Sequence, residues 1–325
     1  MRIRAVNHAS AEHSPAVKIL LLGPNGQVGW ELQRSLAPLG VVTALGRPSR
    51  DGGPGVDLSD AQGLVAAIRH IGPDVVVNAA AYTAVDQAER EVAQASAINA
   101  DAPGLMAREM ARSGGWLVHY STDYVFDGSG HLARDEQATT GPLSSYGRSK
   151  LAGETQIRAS GCQHLILRTS WVHAARGGNF ARTMLRLAGQ RDALTVVNDQ
   201  IGAPTGADLL ADVAAHALRR AMLDCKLSGT YHLCATGEVS WHDYARHVLA
   251  WGHRAGLRLR ASPETVTGIA TRDYPTPAAR PLNSRLDTRK LRETFGLHLP
   301  AWQIGVDRML AEALPSLAPK ACGSP

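Results

Sequence analysis

The feature that most constrains the fold is a glycine-rich run at residues 23–29, which directly follows an apolar segment at 17–22. Its glycines are Gly23, Gly26 and Gly29, and an amphipathic stretch follows them. Between a strand and a helix, this G-x-x-G-x-x-G spacing allows a tight turn, close approach of the backbone to a pyrophosphate, and close packing of helix on strand. The helix N-terminus then presents free N–H groups to the phosphates. In this context the run indicates a dinucleotide-binding loop rather than an ordinary structural turn.

From residue 17 onward, short β-branched apolar segments alternate with longer amphipathic ones. This alternation is typical of an α/β fold with a doubly wound parallel sheet of the Rossmann type. The predicted strands cover residues 17–22, 41–45, 74–78, 116–121 and 164–169, and a further short strand ends at residue 56. The predicted helices cover residues 27–37, 61–70 and 89–112, and another begins at Tyr146.

Three regions are predicted along the chain. Residues 1–16 mix charged and small residues without the apolar core of a signal peptide, so we expect a flexible tail there. Residues 17–170 are predicted to form the dinucleotide-binding domain. In residues 171–318, loops with Gly and Pro separate isolated helices, which predicts mainly a smaller substrate-binding domain, with some segments returning to the sheet.

Composition disfavours several classes of protein. No apolar stretch approaches the roughly 18 to 20 residues that span a bilayer, so no membrane contact is expected. The net charge is +5, but Lys and Arg are scattered and aromatic residues make up only 5%, which argues against a nucleic-acid partner. The positive charge suits a small anionic substrate. The four cysteines show no C-x-x-C spacing, and the expected location is a reducing cytoplasm.

The end of the second predicted strand bears on cofactor choice. In NAD-preferring sites an acid there binds the ribose 2′-hydroxyl, whereas this chain has Gly46 and Arg47. Because a guanidinium at this place can pair with a 2′-phosphate, we expect NADPH to be preferred over NADH. A solvated loop residue is the alternative for Arg47. Asp57 and Leu58 follow the short predicted strand and could border the adenine. Small residues after Asn78 leave room for a cofactor.

Tyr146 and Lys150 form a Y-x-x-x-K pair, and their spacing places both side chains on one face of a helix. A phenol with a pKa near 10 is a poor acid at neutral pH unless an adjacent ammonium stabilises its phenolate, as Lys150 would. Upstream, Thr122 follows a strand, where its hydroxyl could hydrogen-bond a substrate carbonyl. Capping of the next element is the alternative role for Thr122. The set predicts Tyr146 as a general acid, supported by Lys150 and Thr122.

These motifs resemble the extended short-chain dehydrogenase/reductases and, more narrowly, the dTDP-4-dehydrorhamnose reductase family. The resemblance extends over about residues 17–315, and its most specific segments are 198–205 and 280–286. Further segments that carry it are 78–86, 121–128 and 168–171. It implies NAD(P)H-dependent reduction of the C4 carbonyl of dTDP-4-dehydro-L-rhamnose to dTDP-L-rhamnose, a precursor of cell-surface polysaccharide, with Tyr146 protonating the new oxygen.

The resemblance also assigns residues to the cofactor and to the sugar nucleotide. Thr122, Asp123 and Trp171 would contact the sugar. Arg280 is the candidate for the substrate diphosphate, since a guanidinium fork matches phosphate oxygens, with a structural ion pair as the alternative. The residues that would line the cofactor are Gly26, Gln27, Val28, Asp57, Leu58, Ala81, Tyr82 and Thr83, and Lys150 would hold the nicotinamide ribose.

Some members of the family are homodimers with Mg²⁺ near the subunit contact. The matching acids here are Glu31, Asp208 and Glu312, whose oxygens suit magnesium. Solvated surface carboxylates are the alternative. Two positions depart from the family pattern: Asp208 is one carbon shorter than the family's glutamate, and Gly46 replaces its aspartate. The first departure bears on the metal, and the second bears on the use of NADH.

Two other functions remain open on the same fold. A nucleotide-sugar 4,6-dehydratase or epimerase is one, but such dehydratases carry a Thr-Asp-Glu run, and here Tyr124 follows Asp123. The other is a regulatory subunit that binds NADP without catalysis. Such a subunit would not need Thr122, Tyr146 and Lys150 together, so their joint presence favours an enzyme.

Overall fold

The computed structural model describes residues 16–48 and 55–317. The predicted tail lies outside these residues except at its last position. The strands are β1 Val17–Leu22, β2 Gly40–Leu45, β3 Val75–Asn78, β4 Trp116–Thr122, β5 Gln163–Thr169, β6 Val172–His173, β7 Leu194–Val197, β8 Ile201–Gly202, β9 Thr205–Gly206, β10 Gly229–His232, β11 Val239–Ser240 and β12 Val266–Ile269. The helices are α1 Gln27–Leu36, α2 Ala61–Ile71, α3 Val92–Ser96, α4 Ala102–Ser113, α5 Ser145–Ala159, α6 Phe180–Ala188, α7 Ala207–Ala221, α8 Trp241–Arg254, α9 Arg289–Phe295 and α10 Trp302–Leu317.

The central element is a six-stranded sheet in the order β10-β5-β4-β3-β1-β2, and all its pairings are parallel. The crossovers between its strands are the helices that the alternating pattern predicts. The Rossmann-type fold class is therefore confirmed.

Strand β1 shows why the sheet has helices on both faces. Alternate residues of a strand point to opposite faces. Ile19 and Leu21 pack in one core with helices α1 and α7, while Leu20 and Leu22 pack in another with α2 and α4. Since all four side chains are buried, this strand needs cover on each side, as central parallel strands do.

The predicted long helix at 89–112 is wrong in its continuity. Helix α3 is followed by a π-helical turn, Ala97–Asp101, before α4 begins. Pro103 stands in the first turn of α4 and has no backbone N–H to continue a helical ladder. In the π-helical turn, the Asn99 amide exchanges hydrogen bonds with the backbone of Tyr82, at 2.9 and 3.0 Å. The helical periodicity of the sequence carries no information on these tertiary hydrogen bonds, which is why the pattern predicted one helix.

Most of the short strand predicted to end at residue 56 lies outside the described residues. In the described residues, Gly55 forms only an isolated bridge to Gly46. The N–H of Val56 donates to the Gly46 carbonyl at 2.9 Å, and no further ladder follows. Among the described residues, the next strand after β2 is β3.

The second half of the chain contributes to two cores. Strand β10 pairs with β5 at the edge of the central sheet. Helices α6, α8 and α10 instead surround a separate apolar cluster that includes Leu185, Val248 and Val306. The boundary at residue 170 stays a prediction. None of the described helices is both long and apolar enough to cross a bilayer.

Candidate active site

A cavity of about 880 Å³ opens at the carboxyl ends of the central strands. Its lining includes the loop after β1, the ends of β3, β4 and β5, and the first turns of α5. In open α/β sheets this edge is where ligands bind. The predicted site residues that line it are Gly23, Gly26, Gln27, Val28, Arg47, Asp57, Leu58, Ala81, Thr83, Thr122, Asp123, Tyr146, Lys150 and Trp171.

The glycine loop has the geometry that a dinucleotide requires. Gly23 has φ +83°, and a Cβ there would come within 2.8 Å of the Ala80 backbone nitrogen. A Cβ on Gly29 would lie 2.0 Å from the Gly23 carbonyl oxygen, so Gly29 allows helix α1 to pack on the loop rather than touching the cavity. A Cβ on Gly26 would meet its nearest atom only at 3.5 Å. No side chain caps the N-terminus of α1 and no acid stands in its first turn, so its N–H groups fit a diphosphate.

One part of the cavity is lined by the ends of two loops that the sequence associates with cofactor choice. Gly46, Arg47, Asp57 and Leu58 line this part. The space that an acid would occupy at Gly46 is instead bordered by Asn25, whose amide nitrogen lies 3.0 Å from an ideal Cβ built there. Sequence reasoning did not single out Asn25, although its place inside the glycine loop is a usable signal.

Helix α5 positions the two candidate catalytic side chains. Ser144 caps it by accepting a hydrogen bond from the Gly147 N–H at 3.1 Å. Glu89 accepts bonds from the Ser145 N–H and Oγ at 2.7 and 2.9 Å, which ties the start of the helix to the segment after β3. Both Tyr146 and Lys150 then lie in the cavity wall, one turn apart.

Thr122 joins Tyr146 to a buried carboxyl group. Thr122 donates to Asp123 Oδ1 at 3.0 Å and is also hydrogen-bonded to Tyr146. Burial raises the pKa of Tyr146 to about 12, so it is a protonated phenol at neutral pH. Burial also raises the pKa of Asp123 to about 6, and its Oδ2 has no partner among the described residues. This oxygen is itself buried, and the Ser284 side chain also bonds to the Asp123 carboxyl group.

Lys150 has two close partners besides the cavity that it lines. Its Nζ donates to the Tyr120 carbonyl at 2.6 Å and lies 3.1 Å from His119 Nε2. Burial lowers the pKa of Lys150 to about 8, with Glu154 opposing the change. The expected support of a Tyr146 phenolate by Lys150 stays a prediction.

Two stacked tryptophans line another part of the cavity. Trp171 lies on Trp241 with ring centroids 3.6 Å apart and an angle of 13°. Trp171 has φ +49°, a strained value for a bulky residue. A Cβ on Gly202 would come within 2.7 Å of the Trp171 ring, which explains that glycine in the segment 198–205. Trp241 was not predicted, since it lies 70 residues from Trp171 in sequence.

A loop from the second half of the chain covers the glycine loop. Gln27 Nε2 donates to the Gly178 carbonyl at 3.0 Å, and the Arg176 guanidinium lies 3.9 Å from the ring centre of Trp30. Gly177 and Gly178 consequently line the cavity. Sequence reasoning found Gln27 but not this loop, because glycines in a loop carry no sign of what they approach.

Two other predicted residues lie outside the cavity lining. Arg280 forms a two-pronged ion pair with Asp86, at 2.9 and 2.8 Å, which is the structural alternative considered for it. The hydroxyl of Tyr82 donates to Glu91 at 2.7 Å. In this arrangement the structure does not bring Arg280 or Tyr82 to the site.

The three acids expected to bind magnesium are neighbours without forming a metal site. Burial raises the pKa of Glu31, and Asp208 and Glu312 raise it further. Arg34 and Arg308 pair with Glu31 and Asp208, at 3.6 and 3.2 Å. In the part of the chain that the structure describes, no three ligating side chains are placed to hold a metal ion. The residues present therefore do not fit magnesium.

A glycine loop after the first strand of a parallel sheet, and a Tyr-x-x-x-Lys pair in the same cavity, are typical of the short-chain dehydrogenase/reductases. A more specific assignment comes from comparison with known proteins. The family model described as the RmlD substrate binding domain matches residues 17–314, and the chain belongs to this family.

Two relatives show how far the similarity extends. The chain is 50% identical over 296 residues to the dTDP-4-dehydrorhamnose reductase of Salmonella typhimurium, covering 91% of this chain and 98% of that protein. It is 45% identical over 302 residues to the protein of the same name from Burkholderia thailandensis, covering 92% and 99%. The match therefore spans nearly the whole of each relative.

Solved structures of proteins with the same name share the fold. The dTDP-4-dehydrorhamnose reductase of Bacillus anthracis, in complex with NADP, matches with a TM-score of 0.80 at 31% identity and covers 91% of this chain and 99% of that chain. The ortholog from Clostridium acetobutylicum matches with a TM-score of 0.79 at 32% identity, covering 91% and 99%.

Proposed function

We propose that this protein is an NADPH-dependent oxidoreductase that reduces the C4 carbonyl of dTDP-4-dehydro-L-rhamnose to give dTDP-L-rhamnose. The observation that carries the proposal is one cavity that holds a dinucleotide loop together with Thr122, Tyr146 and Lys150. The relatives that match over nearly their full length bear the name of this reductase, which supports the choice of substrate.

The chain offers a place for each part of the cofactor. The N-terminus of α1 would hold the diphosphate, and Arg47 with Asn25 would border the 2′-phosphate. The small residues at the end of β3, Ala79 to Ala81, leave room above the sheet. When bound, the reduced nicotinamide supplies the electron pair and hydrogen that reach the carbonyl carbon.

Tyr146 would supply the proton that completes the reduction. Because burial raises the pKa of Tyr146 to about 12, the phenol keeps its proton until negative charge develops on a nearby oxygen. The Thr122 hydroxyl, which donates to Asp123 in this structure, can rotate to donate to that oxygen instead and so stabilise the charge. Asp123 and the Trp171 ring would then orient the hexose.

The preference for NADPH rests on the missing carboxylate at Gly46 and on the guanidinium of Arg47. The nearby Asp57 carboxylate would compete only weakly with a 2′-phosphate as the partner of Arg47, because it already accepts two hydrogen bonds from Ser59. A 2′-phosphate would offer Arg47 a more highly charged partner.

The dehydratase alternative is disfavoured by the residue after Asp123. In place of a glutamate, Tyr124 packs edge-to-face on Tyr146, with ring centroids 5.6 Å apart. Tyr124 has no carboxyl group, so the acid that such dehydratases carry at this position is missing.

Assembly and location are part of the proposal. A homodimer follows from the family resemblance. The described cysteines Cys162, Cys225 and Cys234 are free thiols, which supports a reducing compartment such as the cytoplasm. Light scattering of the purified protein tests the dimer, and a monomer mass would contradict it.

The direct test mixes the purified protein with dTDP-4-dehydro-L-rhamnose and either NADPH or NADH, with and without a chelator. We expect oxidation of NADPH in step with the formation of dTDP-L-rhamnose, slower oxidation of NADH, and no effect of the chelator. Binding of NADPH without oxidation would favour a regulatory subunit, and turnover of the sugar without net oxidation would favour an epimerase.

A further inference from the structure

A buried polar cluster beneath the cavity joins Lys150 to two residues, His119 and Asn78, that have no part in the function proposed above. His119, in β4, is fully buried between Asn78 of β3 and Lys150 of α5. Its Nδ1 lies 3.1 Å from the Asn78 amide nitrogen, and its Nε2 lies 3.1 Å from Lys150 Nζ. Both ring nitrogens thus have a hydrogen-bonding neighbour. The nitrogen that carries the ring proton must donate to its neighbour, and the other nitrogen must accept from its own.

The orientation of the Asn78 amide decides which ring nitrogen carries that proton. Asn78 Oδ1 accepts a hydrogen bond from the Ala80 N–H at 3.1 Å. With the amide turned over, its NH₂ group would face the Ala80 N–H, and two donors would be opposed. The Asn78 NH₂ group therefore donates to His119 Nδ1, and Nδ1 must present its lone pair.

It follows that Nε2 of a neutral His119 carries the ring proton and directs it at Lys150. An ammonium group has three donors and no lone pair, so it cannot accept this bond. A neutral amine can accept it, while it still donates one N–H to the Tyr120 carbonyl at 2.6 Å. The second N–H of the amine is then free for the cavity that Lys150 lines.

We propose that His119 is a positioning residue that holds Lys150 Nζ beside the Tyr120 carbonyl and favours its neutral amine form. The consequence rests on the proposed reductase activity. After Tyr146 has given its proton to the product, the Lys150 ammonium returns a proton to it. In this step an N–H bond of Lys150 breaks and the O–H bond of Tyr146 forms. The resulting neutral amine then accepts a hydrogen bond from the Nε2–H group of His119. Water then reprotonates the amine. His119 thereby makes Lys150 a ready donor.

The electrostatic surroundings agree with this arrangement. Burial lowers the pKa of Lys150 to about 8, and burial with the nearby Lys150 holds the pKa of His119 well below its usual value. From α5 itself Glu154 faces Lys150 and raises its pKa, but Arg168 of β5 neutralises Glu154 through bonds of 2.8 and 2.6 Å. Other acids on the elements packed against α5 have partners of their own, namely Glu89, Asp101 and Asp123.

The test is the pH profile of kcat for NADPH oxidation in His119→Gln. In the wild type, the basic limb should lie near the Lys150 pKa of about 8, because above it Lys150 has no proton to return. A glutamine oxygen can accept from the ammonium, so we expect the limb to rise by about one pH unit in the variant. At about pH 6.5, where Lys150 is charged in both proteins, kcat should be similar.

A second variant keeps the imidazole. In Asn78→Asp a carboxylate would accept a bond from Nδ1–H, so Nε2 would present its lone pair to Lys150, and the limb should rise again. His164→Gln, which changes another strand histidine outside the cavity, serves as the control and should leave the limb in place. An unmoved limb in both test variants, or an equal loss of kcat at every pH, would overturn the role of His119. Failure of the wild type to oxidise NADPH at any pH would instead refute the proposed reduction.

Discussion

At the scale of single residues, the proposed reduction uses one group to give a proton and another to restore it. Tyr146 is a buried phenol with a raised pKa, and Lys150 is a buried amine with a lowered one. Burial has opposite effects on the two because it disfavours the charged form of each. The two pKa values, which are nearly equal for a tyrosine and a lysine in water, are thus moved apart, so transfer of a proton from a Lys150 ammonium to a Tyr146 phenolate is favourable.

Replacement of Tyr146 by Phe should separate binding from chemistry. The change removes the hydroxyl that donates the proton and leaves the ring against Tyr124. We expect the Kd for NADPH to stay within about twofold and kcat to fall by about 100-fold or more, as loss of a general acid typically causes. Fluorescence titration measures the first and steady-state kinetics the second. Retained turnover would remove Tyr146 from its role.

Replacement of Arg47 by Ala should act on one cofactor only. The guanidinium has a partner in NADPH, the 2′-phosphate, that NADH lacks, so kcat/KM should fall about 10-fold or more with NADPH and little with NADH, as loss of a charged hydrogen bond predicts. The ratio of the two kcat/KM values is the measurement. No loss with either cofactor would show that Arg47 is only a solvated loop residue, and equal losses with both would contradict a specific contact with the 2′-phosphate.

Much of this residue chemistry could be predicted from the sequence, and some could not. The spacing of Tyr146 and Lys150 is local, so their shared face followed from helical geometry. The contact of Lys150 with His119 depends on the packing of α5 on β4, and no local pattern shows it. Arg280 illustrates the same limit, because Asp86, which it pairs with, lies 194 residues away.

At the scale of elements, helix α5 is held by a buried ion pair. Glu154 accepts both prongs of Arg168 from β5 and a bond from Ser121 at 2.6 Å at the end of β4. These bonds fix the face of α5 that carries Tyr146 relative to the strand that carries Thr122. The strands themselves were predictable to within about two residues because apolar runs are local. The π-helical turn was not, because the contacts of Asn99 maintain it.

Glu154→Gln should destabilise the fold strongly. It leaves the buried Arg168 guanidinium without a countercharge, a loss of the kind that typically costs about 3 to 5 kcal/mol. Urea denaturation measures the free energy of unfolding. Glu293→Gln, at an exposed position of α9, is the matched control and should change it by less than about 0.5 kcal/mol. Similar stability in both variants would show that the buried pair contributes little.

At the scale of the whole molecule, the fold buries several histidines in neutral form. Burial lowers the pKa of His173 to about 4 and of His232 to about 3, and holds that of His119 well below its usual value. The fold class that buries them was predictable, since alternating elements define a parallel sheet. The way the second half of the chain closes the cavity was not, because Trp171 and Trp241 meet only in the folded chain.

Stability should therefore fall as the pH falls below about 6.5. Below that pH the histidines of the unfolded chain bind protons, whereas the buried histidines of the folded chain stay neutral. Each buried histidine therefore contributes stability that is fully present above about pH 6.5. Below it, the free energy of unfolding falls by up to about 1.4 kcal/mol per pH unit for each histidine, until the folded pKa is reached. Asp123, whose pKa is raised to about 6, opposes the loss from one such group. Urea denaturation at several pH values measures the slope. Stability that stayed constant between about pH 6.5 and 5 would contradict this.

His173 allows the effect to be assigned. Neither ring nitrogen has a hydrogen-bond partner among the described residues, so His173→Leu removes a titrating group without breaking a bond. The slope of stability against pH should flatten by up to about 1.4 kcal/mol per pH unit. Replacement of the exposed His131 by Asn should leave the slope as it is.

The most direct test of the central claim is the fate of the transferred hydrogen. NADPH deuterated at the transferring position of its nicotinamide is incubated with the protein and dTDP-4-dehydro-L-rhamnose, and the product is examined by mass spectrometry and NMR. We predict one deuterium at C4 of dTDP-L-rhamnose for each NADPH oxidised, with the rate strongly reduced in Tyr146→Phe. Deuterium elsewhere in the sugar, or product formed without loss of NADPH, would contradict the account.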